Sequence, residues 1–187
     1  HSAKFVHEGG KQETGASASI SSITAGILEY QIRPAQTNSY HRLNAFNGLP
    51  TNAAGTWIRF TSGGLIDYYS SSTGVVNLRP YSANTWYNLK LVLKSCQAYD
   101  IYVDDTLAAT NAPVRGSFPS YNTLAIFGYD GGTAYYDNVF LRKYTQTEPS
   151  HDDWAVLEFN PAPPLPEFIA NTTSGQNPLA VQFTDLS

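Results

Sequence analysis

The chain contains no methionine and only one cysteine, Cys96, among its 187 residues. A lone cysteine cannot close an intramolecular disulfide, so cysteine usage does not report the redox compartment, and Cys96 is expected to be a turn residue. A chain that opens on His1 and has no methionine is expected to be processed or excerpted, with any start codon and signal segment upstream. Charge is also scarce. Only 14% of residues are charged, 11 basic against 15 acidic, for a formal net charge of -4. No basic cluster exceeds the Arg142-Lys143 pair, which argues against nucleic acid as a partner, because counterion release needs a basic patch. No apolar run approaches the roughly 18 residues of a membrane-spanning helix, so this segment is expected to have no membrane span.

What the chain has is apolar alternation. Hydrophobic residues make up 42% and aromatics 13%, too apolar for a disordered tail. Along the first 148 residues the apolar period is two, not 3.6. In Asn88–Lys94 the leucines share one face, and in Tyr99–Asp104 so do Tyr99, Ile101 and Val103. Further strands are predicted over Ser2–His7, Ala16–Ile20, Ile27–Arg33, His41–Phe46, Thr56–Phe60, Leu65–Tyr69, Leu124–Gly128 and Ala134–Tyr144, each bounded by turn-forming residues. About ten strands without a helix imply an all-β fold, an antiparallel β-sandwich or barrel. Trp86, Leu89, Leu91, Leu93, Ile101 and Val139 are expected between the two sheets, with burial of the Trp86 ring as the test of the sandwich.

Three hairpins are legible. Lys94–Ala98 joins the leucine strand to the Tyr99 strand. Asp104-Asp105 stands where a two-residue turn with positive φ is expected, and Asp tolerates that geometry. Tyr129–Thr133 contains two glycines free to adopt left-handed conformations.

From Pro149 the composition changes. Residues 149–166 read as a Pro-rich linker, ending in Asn160-Pro161-Ala162-Pro163-Pro164-Leu165-Pro166. Residues 167–187 read as two more strands around Ser174–Asn177. So short a segment cannot bury a core, and it is expected to belong to something larger. Asn171-Thr172-Thr173 is the only N-glycosylation sequon.

The run Thr85–Leu91, the hairpin Tyr99–Asp105 and the strand Tyr135–Tyr144 together resemble the concanavalin A-like (laminin-G-like) jelly-roll domains of microbial surface proteins, of the type found beside the DUF2341 domain. In that family a tryptophan-led strand, a Tyr-Val-Asp-Gly hairpin and a final strand ending in Arg-Lys-Tyr recur; here Asp105 stands in place of the hairpin glycine. The resemblance covers residues 1–148, where the first strand of the family would be missing. Residues 166–185 are similar to the opening of PKD domains. Together these resemblances imply an archaeal or bacterial extracellular or cell-surface protein, with an adhesive, glycan-binding, lectin-like and non-catalytic role. Two alternatives are a structural subunit of a surface layer or filament assembled by strand exchange, and a polysaccharide hydrolase or lyase.

Glycoside hydrolysis needs two carboxylates at a defined separation. The six glutamates are scattered, none alternating with an Asp on a recognisable strand, and Glu29 is the one candidate acid. Nucleophile elbows, phosphate loops, dinucleotide fingerprints and zinc-like His spacings are absent. No organic cofactor is expected. A structural calcium is a candidate at Asp130 and Asp137, because hard oxygen ligands on loops suit that ion. Short Asp turns also stabilise themselves through side-chain to backbone bonds, so turn use fits equally.

A sugar site needs aromatic faces beside planar hydrogen-bonding groups. Tyr40, His41, Tyr68, Tyr69 and Asp130 offer that chemistry, although one tyrosine of each adjacent pair on a strand must face the core. For the tail, Leu179, Val181 and Phe183 share one face by period two. They are the candidate assembly strand for self-association with another copy or another surface protein.

Overall fold

The computed structural model describes residues 3–7, 14–48, 54–144, 168–170 and 183–185. The chain divides into two units, residues 1–145 and 146–187. In the first, strands β1 (Ala3–His7), β13 (Gly132–Arg142), β3 (Gly26–Pro34), β9 (Tyr87–Leu93), β10 (Ala98–Val103) and β11 (Thr106–Pro113) form a six-stranded sheet in that order. Strands β2 (Thr14–Ile23), β12 (Tyr121–Tyr129), β4 (Tyr40–Asn47), β6 (Ile58–Phe60), β7 (Leu65–Ser70) and β8 (Gly74–Pro80) form the spine of a seven-stranded sheet, with β5 (Ala54–Gly55) on the side of β4. Every pairing is antiparallel. The fold is an antiparallel β-sandwich of jelly-roll type, and among the described residues there is no helix.

Alternation builds the core. Leu28, Tyr30 and Ile32 of β3 meet Leu89, Leu91 and Leu93 of β9 and Tyr99, Ile101 and Val103 of β10 on the inner face of one sheet. Leu43 and Ala45 of β4, Ile58 and Phe60 of β6, and Ile66 and Tyr68 of β7 supply the inner face of the other. All of these are buried, which removes the cost of hydrating two apolar sheet faces. Burial pushes the phenols of Tyr30, Tyr99, Tyr121 and Tyr136 well above the usual tyrosine range, and that of Tyr81 up to about 12.

Two residues placed in the core by the sequence lie outside it. Trp86 is 39% exposed, with the Arg33 guanidinium 5.4 Å from its ring centre. It immediately precedes β9, where Tyr87, Leu89, Leu91 and Leu93 point inward, so period two turns Trp86 out with Asn88 and Lys90. The sandwich does not depend on that ring. Val139 is 41% exposed because it falls in an irregularity of the β13 to β3 pairing, between Asp137 and Phe140, where Asn138 adopts φ 48°.

The hairpins form as the sequence predicts. Asp104 and Asp105 take φ 50° and 60°, and Asp130 and Gly131 take 64° and 62°, two-residue turns with both central residues left-handed. Asp104 compensates its strain locally, since its Oδ1 accepts the Asn88 N–H at 3.0 Å and its Oδ2 meets Arg79 at 3.2 Å. Cys96 lies between β9 and β10, its thiol 3.8 Å from the Thr24 carbonyl oxygen. Strands β8 and β11 escaped the sequence reading. Both are sheet edges whose side chains are largely exposed, so neither carries a clear apolar alternation.

In the second unit, β14 (Phe168–Ala170) pairs antiparallel with β15 (Phe183–Asp185), Ala170 opposite Phe183. Leu179 and Val181 of the candidate assembly strand, the Pro-rich linker and the sequon lie outside the described residues.

Candidate functional site

The side chains of β4, β6, β7 and β12 that point away from the core form a second cluster on the outer face of the seven-stranded sheet. Parity assigns them. With Leu43 and Ala45 facing in, Tyr40, Arg42, Asn44 and Phe46 face out; with Ile58 and Phe60 facing in, Trp57 and Arg59 face out. Cross-strand register places Tyr129 opposite Tyr40, Phe127 opposite Arg42 and Ala125 opposite Asn44. Phe46, Trp57, Ala125 and Phe127 are buried together there, with Tyr69 packed against them.

The aromatic rings meet edge to face, Phe46 at 5.8 Å from Trp57 and 6.0 Å from Phe127, and Tyr40 at 6.0 Å from Tyr129. Three arginines interleave with them. The Arg42 guanidinium lies 3.8 Å from the Trp57 ring centre and 4.8 Å from that of Phe127. Arg115 lies 4.2 Å from Trp57 and 5.9 Å from Tyr69, and Arg59 lies 5.9 Å from Tyr40. Such stacking on a ring quadrupole is worth about 0.5–2 kcal/mol each, depending on desolvation. Arg59 also holds Asp67 across the β6 to β7 pair through two hydrogen bonds of 2.7 Å, Nε to Oδ1 and Nη2 to Oδ2.

The segment carrying Trp57 is fixed from both sides. Between β5 and β6 the ladder to β4 is interrupted, and buried side chains replace it. Asn44 Oδ1 accepts the Ile58 N–H at 2.8 Å, Asn44 Nδ2 donates to the Ile58 carbonyl at 3.2 Å, and Thr56 Oγ1 accepts the Ala45 N–H at 3.0 Å. From the opposite sheet, the Tyr99 hydroxyl crosses the core to accept the Trp57 N–H at 3.2 Å. Two glycines allow close approach. A side chain at Gly55 would strike the Ala45 carbonyl oxygen, and one at Gly15 would strike the Phe127 ring.

Between these groups lies a cavity of about 240 Å³ lined by Tyr40, His41, Arg42, Trp57, Arg59, Phe127, Gly128 and Tyr129. That is smaller than the roughly 300–1,000 Å³ of enclosed small-molecule pockets.

The sequence candidates divide accordingly. Tyr40 lines the cleft and is half-buried. Tyr69 sits on the same outer face, whereas Tyr68 is buried in the sandwich core, its neighbour having taken the outward parity. His41 borders the cleft but is completely buried, on the core side of β4, with Nε2 at 2.8 Å from Ser39 Oγ. It has no exposed ring to offer a ligand. Asp130 is exposed in its turn beyond Tyr129 and does not line the cleft. Asp130 and Asp137 do not come together: Asp137 lies five residues into the extended β13, roughly 17 Å along the strand from its start. Asp137 Oδ1 instead accepts the Asn138 N–H at 2.8 Å, the turn-type use of an aspartate. Among the described residues no group of three His, Cys, Asp or Glu could hold a metal. Glu29 is on the other sheet, accepting two hydrogen bonds of 3.2 Å from Arg142.

Trp57, Arg59, Arg115 and Phe127 were not singled out from the sequence. The readable signal for three of them was parity, the residues opposite the core alternation. Arg115 follows β11 and reaches this face through an isolated bridge to Gly55, which no local pattern announces.

No family model matches the chain, and no curated protein is similar to it in sequence. Solved structures share its fold. A carbohydrate-binding module, CBM66 from Bacillus subtilis, superposes with a TM-score of 0.53 at 16% identity over 72% of this chain and 84% of that one. A Bacillus licheniformis β-glucanase gives 0.51 at 19% identity, covering 71% of each chain. A sialidase gives 0.58 at 14% identity over 76% of this chain, which spans only 15% of the sialidase. These are concanavalin A-like jelly-roll folds, a fold that hosts both glycan binding and glycan cleavage. No helix among the described residues is long and apolar enough to cross a membrane.

Proposed function

We propose that this protein is an extracellular, non-catalytic glycan-binding module whose binding surface is the outer face of the seven-stranded sheet. The observation that carries this reading is the open cleft between Tyr40, Tyr129 and the stacked arginines, apolar rings next to planar hydrogen-bonding groups. A pyranose presents the matching surface, C–H patches flanked by hydroxyls. The electrostatics of the face favour binding over hydrolysis. Its one carboxylate among the described residues, Asp67, is 3% exposed and held at both oxygens by Arg59, whereas glycosidases use a pair of carboxylates, one of them free to give up a proton. The scarcity of charge and the resemblance to surface-protein domains support a place outside the cell.

Titration of the full chain against a panel of polysaccharides tests the reading. Binding should be in the millimolar to high-micromolar range, because a shallow sheet face engages few sugar units. Changing Tyr40 and Tyr129 together to Ala should weaken it at least about tenfold, the loss of one stacked ring. Unchanged affinity in that double variant, or release of reducing sugar that Asp67→Asn abolishes, would overturn the proposal.

A further inference from the structure

We propose that the sandwich carries a second saccharide site, on the outer face of the six-stranded sheet, which takes a neutral pyranose chain. It stands apart from the cleft and does not depend on it. The site is a groove of about 180 Å³ shared by β13, β3 and β9, whose lining includes Gln31, Asn88, Lys90, Asp105, Asn138 and Phe140.

An irregularity in the β13 to β3 pairing builds the groove. Between the pairs Asp137–Gln31 and Phe140–Glu29, two residues of β13, Asn138 and Val139, oppose the single Tyr30 of β3. Such a bulge re-aims the side chains that follow it. Strict alternation from Asp137 would point Phe140 into the core; with one extra residue it faces outward opposite Glu29 and is 58% exposed. Asn138 takes φ 48°, a conformation asparagine tolerates, and its Nδ2 donates to Gln31 Oε1 at 2.9 Å. Gln31 Nε2 in turn donates to Asn88 Oδ1 at 2.9 Å. Three amides, one from each strand, are therefore locked in a relay across the sheet before any ligand arrives. Each amide has two N–H donors and two acceptor lone pairs, so the relay fixes their orientation and spends only part of their capacity.

The relay lies between two exposed rings. Glu29, two residues before Gln31, faces Phe140, and Arg33, two residues after Gln31, has its guanidinium 5.4 Å from the Trp86 ring centre. Trp86 is 39% exposed and stands two residues before Asn88 on the same side of β9, roughly 7 Å along the strand. The order ring, amide, ring matches a pyranose chain, in which apolar C–H faces alternate with hydroxyl edges. Charge selects a neutral chain. Glu29 accepts two hydrogen bonds of 3.2 Å from Arg142, and Lys90 and Asp105 carry opposite signs, so the described lining offers a ligand no net charge. A protein partner would favour a continuous apolar centre depleted of charge, whereas amides separate Phe140 from Trp86 here. The groove is smaller than the cleft, about 180 against 240 Å³, and binds the more weakly of the two. The outer faces of a sandwich point away from each other, so the two sites take separate chains and one module bridges them.

Proton–nitrogen NMR of the full chain with hexasaccharides of neutral β-glucans, mannan and xylan, and with an oligogalacturonate, tests the site. The side-chain amides of Gln31, Asn88 and Asn138 and the Trp86 indole N–H report this face, and the Trp57 indole N–H reports the cleft. A neutral sugar should move both sets saturably, with the weaker affinity at the amides. Trp86→Ala combined with Phe140→Ala should weaken binding at the amides at least about tenfold, the loss of stacked rings, and leave the Trp57 response unchanged. Shifts at Trp57 alone would overturn the second site and leave the cleft in place. Shifts at the amides and Trp86 alone would uphold the second site and overturn the cleft, and no shift with any sugar would overturn both. Tighter binding of the oligogalacturonate at the amides would overturn the neutral assignment. Movement of the amides on concentrating the protein without sugar would make this face an interface between copies and overturn the site. The mapping uses the unaltered protein, so it stands even if the double variant fails to fold.

Discussion

Arg42 and Trp57 are stacked on the outer face of the seven-stranded sheet, the guanidinium carbon 3.8 Å from the indole centre and both residues less than a tenth exposed. Trp57 is therefore a platform for cations rather than a surface for a sugar, and its main role is to position Arg42 and Arg115. Trp57→Ala should cost about 3–5 kcal/mol in denaturant unfolding, the usual loss for a buried large aromatic. Trp57→Phe should recover most of that stability while weakening the stacking by about 1 kcal/mol. A Trp57→Ala protein as stable as the parent would show that the outer cluster contributes no packing.

Parity along β9 gives a sharp contrast between neighbours. Leu91 is completely buried and Trp86 is 39% exposed. Leu91→Ala should cost about 2–5 kcal/mol, by lost transfer free energy and the cavity left behind. Trp86→Ala should cost about 1 kcal/mol or less, since it removes a partly solvated ring whose one described partner is Arg33 at 5.4 Å. Urea unfolding of the two variants side by side checks this, and a larger effect at Trp86 would contradict the register of β9.

The same contrast explains what was legible in the sequence. Ten strands, three hairpin turns and the inward set Leu89, Leu91, Leu93 and Ile101 follow from local rules, because alternation and turn chemistry act between residues close in sequence. Trp86 was misplaced because tryptophan's size suggested burial against the parity of its own strand. Val139 was misplaced because a bulge, which depends on the partner strand, shifts the parity partway along β13. The candidate site was only partly legible. Tyr40 on β4 and Tyr69 on β7 could be named from their own strands, but Trp57, Phe127 and Arg115 come from three separate segments joined only by the sheet order β12-β4-β6 and one bridge. Single-sequence patterns carry no information about that order.

Asp100 provides a test at low pH. Burial would raise its pKa, but Lys94 at 2.8 Å, the Asn111 N–H at 2.8 Å and the Thr110 hydroxyl at 3.1 Å together hold it below the ordinary carboxylate value. A carboxyl depressed in the folded state contributes stability that is present above its unfolded pKa, about 3.9, and lost as pH falls through the folded value. Asp100→Asn should therefore cost about 1–3 kcal/mol at neutral pH, the range for hydrogen bonds to a charged group. The gap from the parent should close below about pH 4. A gap that persisted at pH 2 would mean that the carboxylate's charge contributes nothing.

The buried tyrosines act at the opposite end of the scale. Burial raises Tyr81 to about 12, and Tyr30, Tyr99, Tyr121 and Tyr136 are raised further. A phenol whose folded pKa exceeds its unfolded value contributes stability that is intact below about pH 10 and lost as pH rises through the folded value. Tyrosinate absorbance from the buried set should appear only together with unfolding, above about pH 11. Full ionisation of all the tyrosines with native circular dichroism retained would contradict the burial of this set.

Adjacent Tyr68 and Tyr69 separate stability from binding within one strand. Tyr68 faces the sandwich core with Ile58 directly across the β6 to β7 pair, and Tyr69 faces the arginine cluster, 5.9 Å from the Arg115 guanidinium. Strand alternation makes these opposite assignments unavoidable, since successive side chains leave a sheet on opposite sides. Tyr68→Ala should lower stability by about 3 kcal/mol or more through a core cavity, yet leave the affinity of the folded fraction for polysaccharide unchanged. Tyr69→Ala should cost about 1 kcal/mol of stability and weaken polysaccharide binding several-fold, by removing a ring that supports Arg115 at the rim of the site. Thermal melts and titrations of the two variants decide between the faces. If Tyr68→Ala lost binding while Tyr69→Ala lost stability, the outer face would have to be reassigned, and with it the location of the proposed ligand.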